Sequence, residues 1–278
     1  MTLPDVVLLA IIQGFAELLP VSSSAHVIMA EKLLGLDPTA PAMTFLLVML
    51  HTGTMFAVIG YFWKVWRERY FSSAAVFGQQ AKLIVIATVA TGVVGLVLLL
   101  VIERIVLRGH AHAQVEQLFG NPYLIASGLV AAGTLILLSS RKATTDRPLN
   151  SRSSAWIGTI QGLCLPFRGF SRSGATISTA LFLGVERMRA EEFSFALAVV
   201  LTPPVILREG WRLVQAHAAT GAVVGRAFGM GLLGMLFSFV AGWLALRWLS
   251  RWLEHGRWRY FGYYCFVAAV FVLAISFG

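Results

Sequence analysis

Five stretches of the chain, 41–63, 83–102, 121–139, 227–246 and 260–277, are predominantly apolar. Each comes close to the roughly 20 residues that a helix needs to cross a hydrocarbon core of about 30 Å, so each predicts a transmembrane helix. A sixth stretch, 193–207, has only 15 residues before Arg208 and contains Thr202-Pro203-Pro204. It predicts a kinked or broken span, because proline inside a membrane helix frees backbone groups that neighbours must satisfy. Two more apolar regions, 3–34 and 155–183, are each interrupted midway by a polar cluster. The interruptions read Pro20-Val21-Ser22-Ser23-Ser24-Ala25-His26 and Arg168-Gly169-Phe170-Ser171-Arg172-Ser173-Gly174. Non-helical backbone at membrane depth persists only where protein or a water-filled cavity covers it. Each region therefore predicts two half-helices that enter and leave on one side.

The two halves resemble one another. Ile12-Gln13-Gly14 leads to Ser22-Ser23-Ser24-Ala25, and Ile160-Gln161-Gly162 leads to Ser171-Arg172-Ser173-Gly174-Ala175. Each copy is followed by three spans, so the second copy must be inverted relative to the first. The expected fold is an all-α polytopic membrane protein, with six transmembrane helices and two re-entrant helical hairpins in two inverted-topology repeats. The whole chain, 1–278, forms one membrane domain. Its first half, 1–120, holds the re-entrant pair 3–34 and the spans 41–63 and 83–102, with 121–139 as its third span. The second half, 153–278, holds the pair 155–183 and the spans 193–207, 227–246 and 260–277. Discontinuous helices in inverted repeats place a site where the breaks meet, near the midplane.

Composition agrees with a bilayer: 58% of residues are hydrophobic, mean hydropathy is +0.77 and only 13% are charged, against about a quarter in a soluble domain. The net charge of +9 reads as topogenic rather than as a nucleic-acid footprint, since no segment is large enough for a soluble nucleic-acid module. On the six-span topology, Lys64, Arg67, Arg69, Lys82, Arg141, Lys142, Arg147, Arg152, Arg187, Arg189, Arg247, Arg251, Arg257 and Arg259 fall on one side. Only Lys32, Arg104, Arg108, Arg208, Arg212 and Arg226 fall on the other. This bias puts the first side in the cytoplasm and both termini outside it. The residues before the first apolar stretch hold no basic side chain, so that stretch is expected to be retained rather than cleaved as a signal peptide. Cys164 and Cys265 lie in apolar surroundings without metal-like spacing and read as packing residues.

Once the loop charges are assigned, Glu17, Arg168 and Arg172 remain inside apolar regions. Ionised groups there are costly unless paired or hydrated, which makes them functional candidates. The alternative is that Glu17 and Arg172 only pair to hold the halves together, although buried pairs add little net stability. Ser171, Ser173 and Thr176 surround Arg172 at the start of a half-helix, beside Gly169 and Gly174. Helix N-terminal amides, small residues and a guanidinium fork suit a phosphate or diphosphate. In the first motif Ser22, Ser23 and Ser24 also open a helix, with His26 one turn on, a pairing able to act as nucleophile and general acid or base. His51, beside Thr52 and Thr54 within a span, reads instead as a histidine satisfied by a neighbouring helix. A carboxylate, hydroxyls, a histidine and an arginine converging inside a membrane point to chemistry on an anionic lipid headgroup.

These residues resemble the undecaprenyl-diphosphate phosphatases of the bacitracin-resistance type. That family shows Glu or Gln, then Glu four residues on, then Pro-x-Ser-Ser-x-x-His, matched by Gln13, Glu17, Pro20, Ser22, Ser23 and His26. Its second motif, Pro-Gly-x-Ser-Arg-Ser-x-x-Thr, is matched by Gly169, Ser171, Arg172, Ser173 and Thr176, and the stretch Glu192-Phe193-Ser194-Phe195 is similar too. The resemblance implies hydrolysis of undecaprenyl diphosphate to the monophosphate and inorganic phosphate at the periplasmic face of the inner membrane. That reaction recycles the carrier lipid for peptidoglycan synthesis and confers bacitracin resistance. It also implies a divalent cation, Mg or Ca, with Glu17 and Gln13 as its protein ligands. Glu17, Ser23, His26 and Arg172 would be catalytic, with Ser23 the nucleophile. Gln13, Ser22, Ser24, Arg168, Gly169, Ser171, Ser173 and Thr176 would bind substrate. Its partners are then the bilayer and a polyprenyl diphosphate lipid, not nucleic acid, with a homodimer left open.

Three positions depart from the family pattern. Gln13 stands where Glu is frequent, which concentrates the basic role on Glu17. Arg168 stands where the family usually has Pro, and Leu46 replaces an acidic residue. The rival reading is a transporter or flippase for an anionic lipid headgroup, which uses the same half-helix devices. A purely structural scaffold leaves Glu17 and Arg172 without a reason to sit in apolar surroundings.

Overall fold

A computed structural model describes residues 2–36, 41–106, 121–142, 147–216 and 221–277. Among the described residues the chain forms ten α-helices: α1 (Leu3–Leu18), α2 (Ser23–Leu33), α3 (Pro41–Tyr70), α4 (Ala74–Val101), α5 (Pro122–Ser140), α6 (Ser151–Cys164), α7 (Arg172–Phe182), α8 (Arg187–Ala216), α9 (Gly221–Glu254) and α10 (Arg259–Phe277). A π-helical turn, Ile102–Val106, continues α4. Arg108, one of the charges assigned above to the outer side, lies outside the described residues.

Local chemistry sets several of the starts. Thr2 and Asp5 form a capping box on α1, and Asn150 and Ser153 form one on α6. Asn121 caps α5 with Pro122 at its first position, and Ser73 caps α4. These side chains take up amides that lack a partner in the first helical turn.

Among the described residues five helices are long and apolar enough to cross a membrane: α3, α4, α5, α9 and α10. They correspond to the five continuous apolar stretches but run further at their basic ends. Thus α3 extends to Tyr70 through Arg67 and Arg69, and α9 to Glu254 through Arg251. Long basic side chains carry their charge past the hydrocarbon edge while their stems stay apolar, so the helix need not end where hydropathy does. The sixth expected span, 193–207, lies within α8, which keeps Pro203 and Pro204 inside one helix; α8 is not among the five.

Helix partners are exchanged between the halves. The first-half helix α1 lies on α9, the second-half helix α6 lies on α4, α3 meets α8 and α9, and α5 meets α10. Small residues permit the closest approaches. A Cβ on Gly158 of α6 would sit 2.1 Å from the Ala87 carbonyl oxygen of α4, and one on Gly14 of α1 would sit 2.5 Å from the Ala241 Cβ of α9. Without a hydrophobic drive between helices in lipid, such van der Waals contact is what holds them. Phe62 of α3 and Phe195 of α8, both fully buried, stack at 5.8 Å in the centre. The outer face of α4 is apolar, with Val85, Val89 and Val93 more than half exposed.

One end of the bundle carries a polar clamp. Arg69 of α3 and Arg189 of α8 both donate to Glu192, at 2.7 and 2.8 Å, and Arg189 also donates to Gln80 of α4 and to the Tyr70 hydroxyl. Arg187 reaches the Glu254 carbonyl of α9, and the indole of Trp258 donates to Ser139 of α5. Three of the basic residues assigned to one side by charge counting, Arg69, Arg187 and Arg189, thus take part in contacts between helix ends.

Replacing Gly158 by Ala should lower the midpoint of thermal unfolding in detergent, at a cost of about 1–3 kcal/mol from overpacking. Gly92→Ala on α4, where a Cβ meets nothing within 4 Å, should leave the midpoint unchanged or raise it.

Candidate active site

The two sequence interruptions become two helix breaks that face each other. The first runs from the end of α1 at Leu18 to Ser23, and the second from the end of α6 at Cys164 to Arg172. Ser22 turns the chain with φ 68°, the only positive φ at a non-glycine residue among those described. Such a conformation costs about 1–3 kcal/mol and is kept where the surroundings impose it. Here it starts α2 without a side-chain cap from Ser22, which leaves the first amides of α2 uncapped by that side chain. In the second break Gly169 has φ +90°, and a Cβ there would lie 2.1 Å from the Ile125 carbonyl oxygen of α5. Only glycine fits that approach. Ser171 then caps α7 through a 3.2 Å bond from the Gly174 amide.

Between the breaks lies a cavity of about 230 Å³. Glu17, Ser22, Ser23, Ser24 and His51 of the first half line it, together with Arg168, Ser171, Arg172 and Ser173 of the second. Ala16, Cys164, Leu165, Phe167 and Phe170 supply its apolar wall. Glu17 is the hub. Its Oε2 accepts the Ser23 hydroxyl at 2.5 Å and the Gln13 amide at 3.2 Å, and its Oε1 accepts Arg172 at 3.3 Å. The Nε2 of His51 stands 3.5 Å from the same Oε2, and the Nδ1 of His51 bonds the Leu47 carbonyl at 2.8 Å. A carbonyl only accepts, so Nδ1 carries a proton and Nε2 is the nitrogen that faces the carboxylate.

Arg172 is braced from behind. Its second nitrogen donates to the Ser194 carbonyl of α8 at 3.3 Å, while Thr176 and Ser194 share a 2.6 Å hydroxyl bond. The Ser173 hydroxyl reaches the Leu19 carbonyl at 3.3 Å, tying the second break to the first.

Not every expected residue reaches the cavity. Gln13 is 1% exposed and meets the site only through Glu17. Thr176 is fully buried and bonds the Arg172 carbonyl, and Gly169 contributes a backbone turn. His26 points elsewhere: Nδ1 donates to the Ser22 carbonyl at 2.7 Å and Nε2 takes the Tyr264 hydroxyl of α10 at 2.7 Å. It therefore ties α10 to the strained turn at Ser22.

His51 of α3 does meet a neighbouring helix, through Glu17 of α1, and in addition it lines the cavity, which its sequence reading did not include. Ser194 and Tyr264 were also missed as supports. The similar Glu192-Phe193-Ser194-Phe195 stretch was a signal for the first, whereas Tyr264 sits in an apolar run that offered none.

These features define an integral membrane protein of all-helical fold with a polar cavity between two helix breaks. The chain belongs to the family described as bacitracin resistance protein BacA, which matches residues 6–271. Over 99% of both chains it is 57% identical to a protein of Acinetobacter baylyi named undecaprenyl-diphosphatase 2. It is 35% identical to an undecaprenyl-diphosphatase of Desulfosudis oleivorans over 94% of both chains. It is also 30% identical to one of Korarchaeum cryptofilum, over 99% of this chain and all of that protein.

Tyr264→Phe removes the donor to His26 and should cost about 1 kcal/mol of stability, seen as a lower thermal midpoint in detergent. The His26 ring should show a changed tautomer balance by nitrogen NMR, while the His51 signals stay in place.

Proposed function

We propose that the chain hydrolyses undecaprenyl diphosphate to undecaprenyl phosphate and inorganic phosphate, with the terminal phosphate held between the two helix breaks. The protein is a multi-pass protein of the inner membrane, and the reaction returns the carrier lipid to peptidoglycan synthesis. The observation that carries the site assignment is the set Ser23–Glu17–Arg172, drawn from both halves and joined inside one cavity.

In this reading Ser23 is the nucleophile. Its hydroxyl already donates to Glu17 at 2.5 Å, so the proton passes to the carboxylate as the Oγ–phosphorus bond forms. The bond from phosphorus to the bridging oxygen breaks, and its electrons leave with the polyprenyl phosphate. Water then attacks the serine phosphoester, releases inorganic phosphate and restores the Ser23 hydroxyl. Arg172 and the first amides of α2 and α7 neutralise the phosphate oxygens, a preorganised field of the kind that usually contributes most to catalysis. Arg168 adds a second cation at the rim, and Ser22, Ser24, Ser171 and Ser173 supply hydroxyls. His51 keeps the Glu17 carboxylate oriented.

A divalent cation fits this donor set only together with the substrate. Among the described residues no three His, Cys, Asp or Glu side chains gather into a protein-only cage. One carboxylate plus substrate phosphates is, however, the usual arrangement for magnesium. Glu17 would hold the ion from the protein side, with Gln13 steadying its carboxylate from behind, and when bound the ion would offset diphosphate charge.

The topology belongs to the same proposal. α1–α2 and α6–α7 form two re-entrant pairs, α8 completes six spans, and the second half is inverted relative to the first. The exchange of partners, α1 on α9 and α6 on α4, supports that inversion. The gathering of basic helix ends at the Arg69–Glu192–Arg189 clamp supports a cytoplasmic face there. The cavity then opens to the periplasm, where both termini lie.

Phosphate release by purified protein in detergent separates this function from transport, because no second compartment exists there and a flippase releases none. Glu17→Gln, Ser23→Ala and Arg172→Ala should each lower turnover by roughly 10²–10³-fold, the loss typical of one electrostatic catalytic group, without unfolding the protein. Normal turnover by Arg172→Ala would refute the site. Stripping divalent ions with a chelator should abolish release in the wild type, and added Mg or Ca should restore it.

A further inference from the structure

The cavity between the breaks is sized for a headgroup and not for a long lipid tail, and its walls differ. Serines, Glu17 and the arginines form the polar side, while Cys164 and Leu165 at the end of α6 form part of the apolar side. Leu165 is half exposed, so it stands at the mouth. A second hollow, a groove of about 490 Å³, runs along the outer side of α4 and α6. Val85, Ile86, Val89, Ala90, Val93, Val94, Ala155 and Thr159 line it, and only Thr159 brings a polar side-chain atom.

The groove and the cavity are neighbours along α6. Ala155 to Leu165 spans roughly 15 Å of helix at its usual rise, with the groove at one end and the cavity mouth at the other. Between them α4 and α6 pack tightly on glycines. A Cβ on Gly162 would lie 2.8 Å from the Val94 Cβ, and a Cβ on Gly95 would lie 2.8 Å from Leu165 Cδ1. Val94 lines the groove and Leu165, 49% exposed, lines the cavity, so the same pair of helices carries an apolar side chain at the edge of each.

We infer that the α4–α6 groove seats the polyisoprenoid tail of the substrate while its diphosphate occupies the cavity. The inference rests on the phosphatase reading above, which supplies a ligand polar at one end and apolar along its length. The groove offers little hydrophobic drive, because lipid chains are as apolar as its valines. What it offers is shape: a tail laid along α4 and α6 points the diphosphate at Ser23 and Arg172, so long-chain substrates gain in KM rather than in the chemical step.

The test uses the full chain in detergent with two substrates, undecaprenyl diphosphate and farnesyl diphosphate, whose short tail ends near the cavity mouth. Val89→Trp and Ala155→Trp, made separately, should raise KM for the long substrate about five-fold, the scale of packing contacts in lipid. Turnover of farnesyl diphosphate should stay at the wild-type value, which also shows that the variants fold. Val267→Trp, on the lipid-facing side of α10 and 67% exposed there in the wild type, should change neither. Equal losses on both substrates, or no effect of either groove variant on the long one, would overturn the assignment, the second meaning that ordinary lipid fills the groove. A polyprenyl diphosphate with a photoreactive tail provides a readout independent of turnover. Cross-links should fall on α4 and α6, and their absence from both helices would equally overturn the groove. Failure of the wild type to release phosphate from either substrate would instead count against the phosphatase reading.

Discussion

A carboxylate carried into a bilayer has to find positive charge and hydrogen-bond donors within the protein. Glu17 finds them on both sides of a gap: Ser23 and Gln13 beside it in sequence, His51 on the next long helix, and Arg172 on the other half of the chain. Burying an isolated ion in hydrocarbon is expensive enough that this set of contacts fixes where the two breaks must lie. The packing of α1 on α9 and of α6 on α4 holds the breaks in that register, and the glycines at those crossings let the helices come close enough. The site and the fold therefore share one requirement, that the charges at the breaks meet.

The support of Arg172 extends that requirement along α8. Ser194 bonds Arg172 and Thr176, and Glu192, two residues earlier, is clamped by Arg69 and Arg189. One helical turn thus carries both the clamp at the bundle end and the brace behind the cavity. Changes at the clamp would reach the site through the position of α8 rather than through any direct contact with substrate.

Much of this was legible in the sequence, because membrane depth makes interruptions informative. Continuous apolar runs gave five spans, and the polar clusters at Ser22–Ser24 and Arg168–Ser173 gave the breaks. Helix ends were less legible, since Arg67, Arg69 and Arg251 extend α3 and α9 past the apolar windows by carrying their charges outward. Within the site, Glu17, Ser23 and Arg172 stood out as costly or reactive groups in local motifs. His51 did not, because a histidine within an apolar helix looks the same whether it faces a neighbour or a cavity, and only the approach of α1 decides. Proximity in sequence does not distinguish lining from support. His26, Thr176 and Gly169 belong to the motifs, yet they shape the backbone behind the cavity instead of lining it.

The exchange of partners between the halves bears on how the protein is made. The helix that packs on α1 is α9, and the side chain that pairs with Glu17 stands at the start of α7. A chain emerging from the ribosome therefore delivers an acidic half-helix to the membrane well before either its packing surface or its counter-charge exists. Until α7 arrives, the first hairpin has to wait near the aqueous surface or in the shelter of the insertion machinery. Assembly of the cavity is in this sense a late step of biogenesis, and a chain truncated before α9 would carry Arg172 but lack the surface that holds α1.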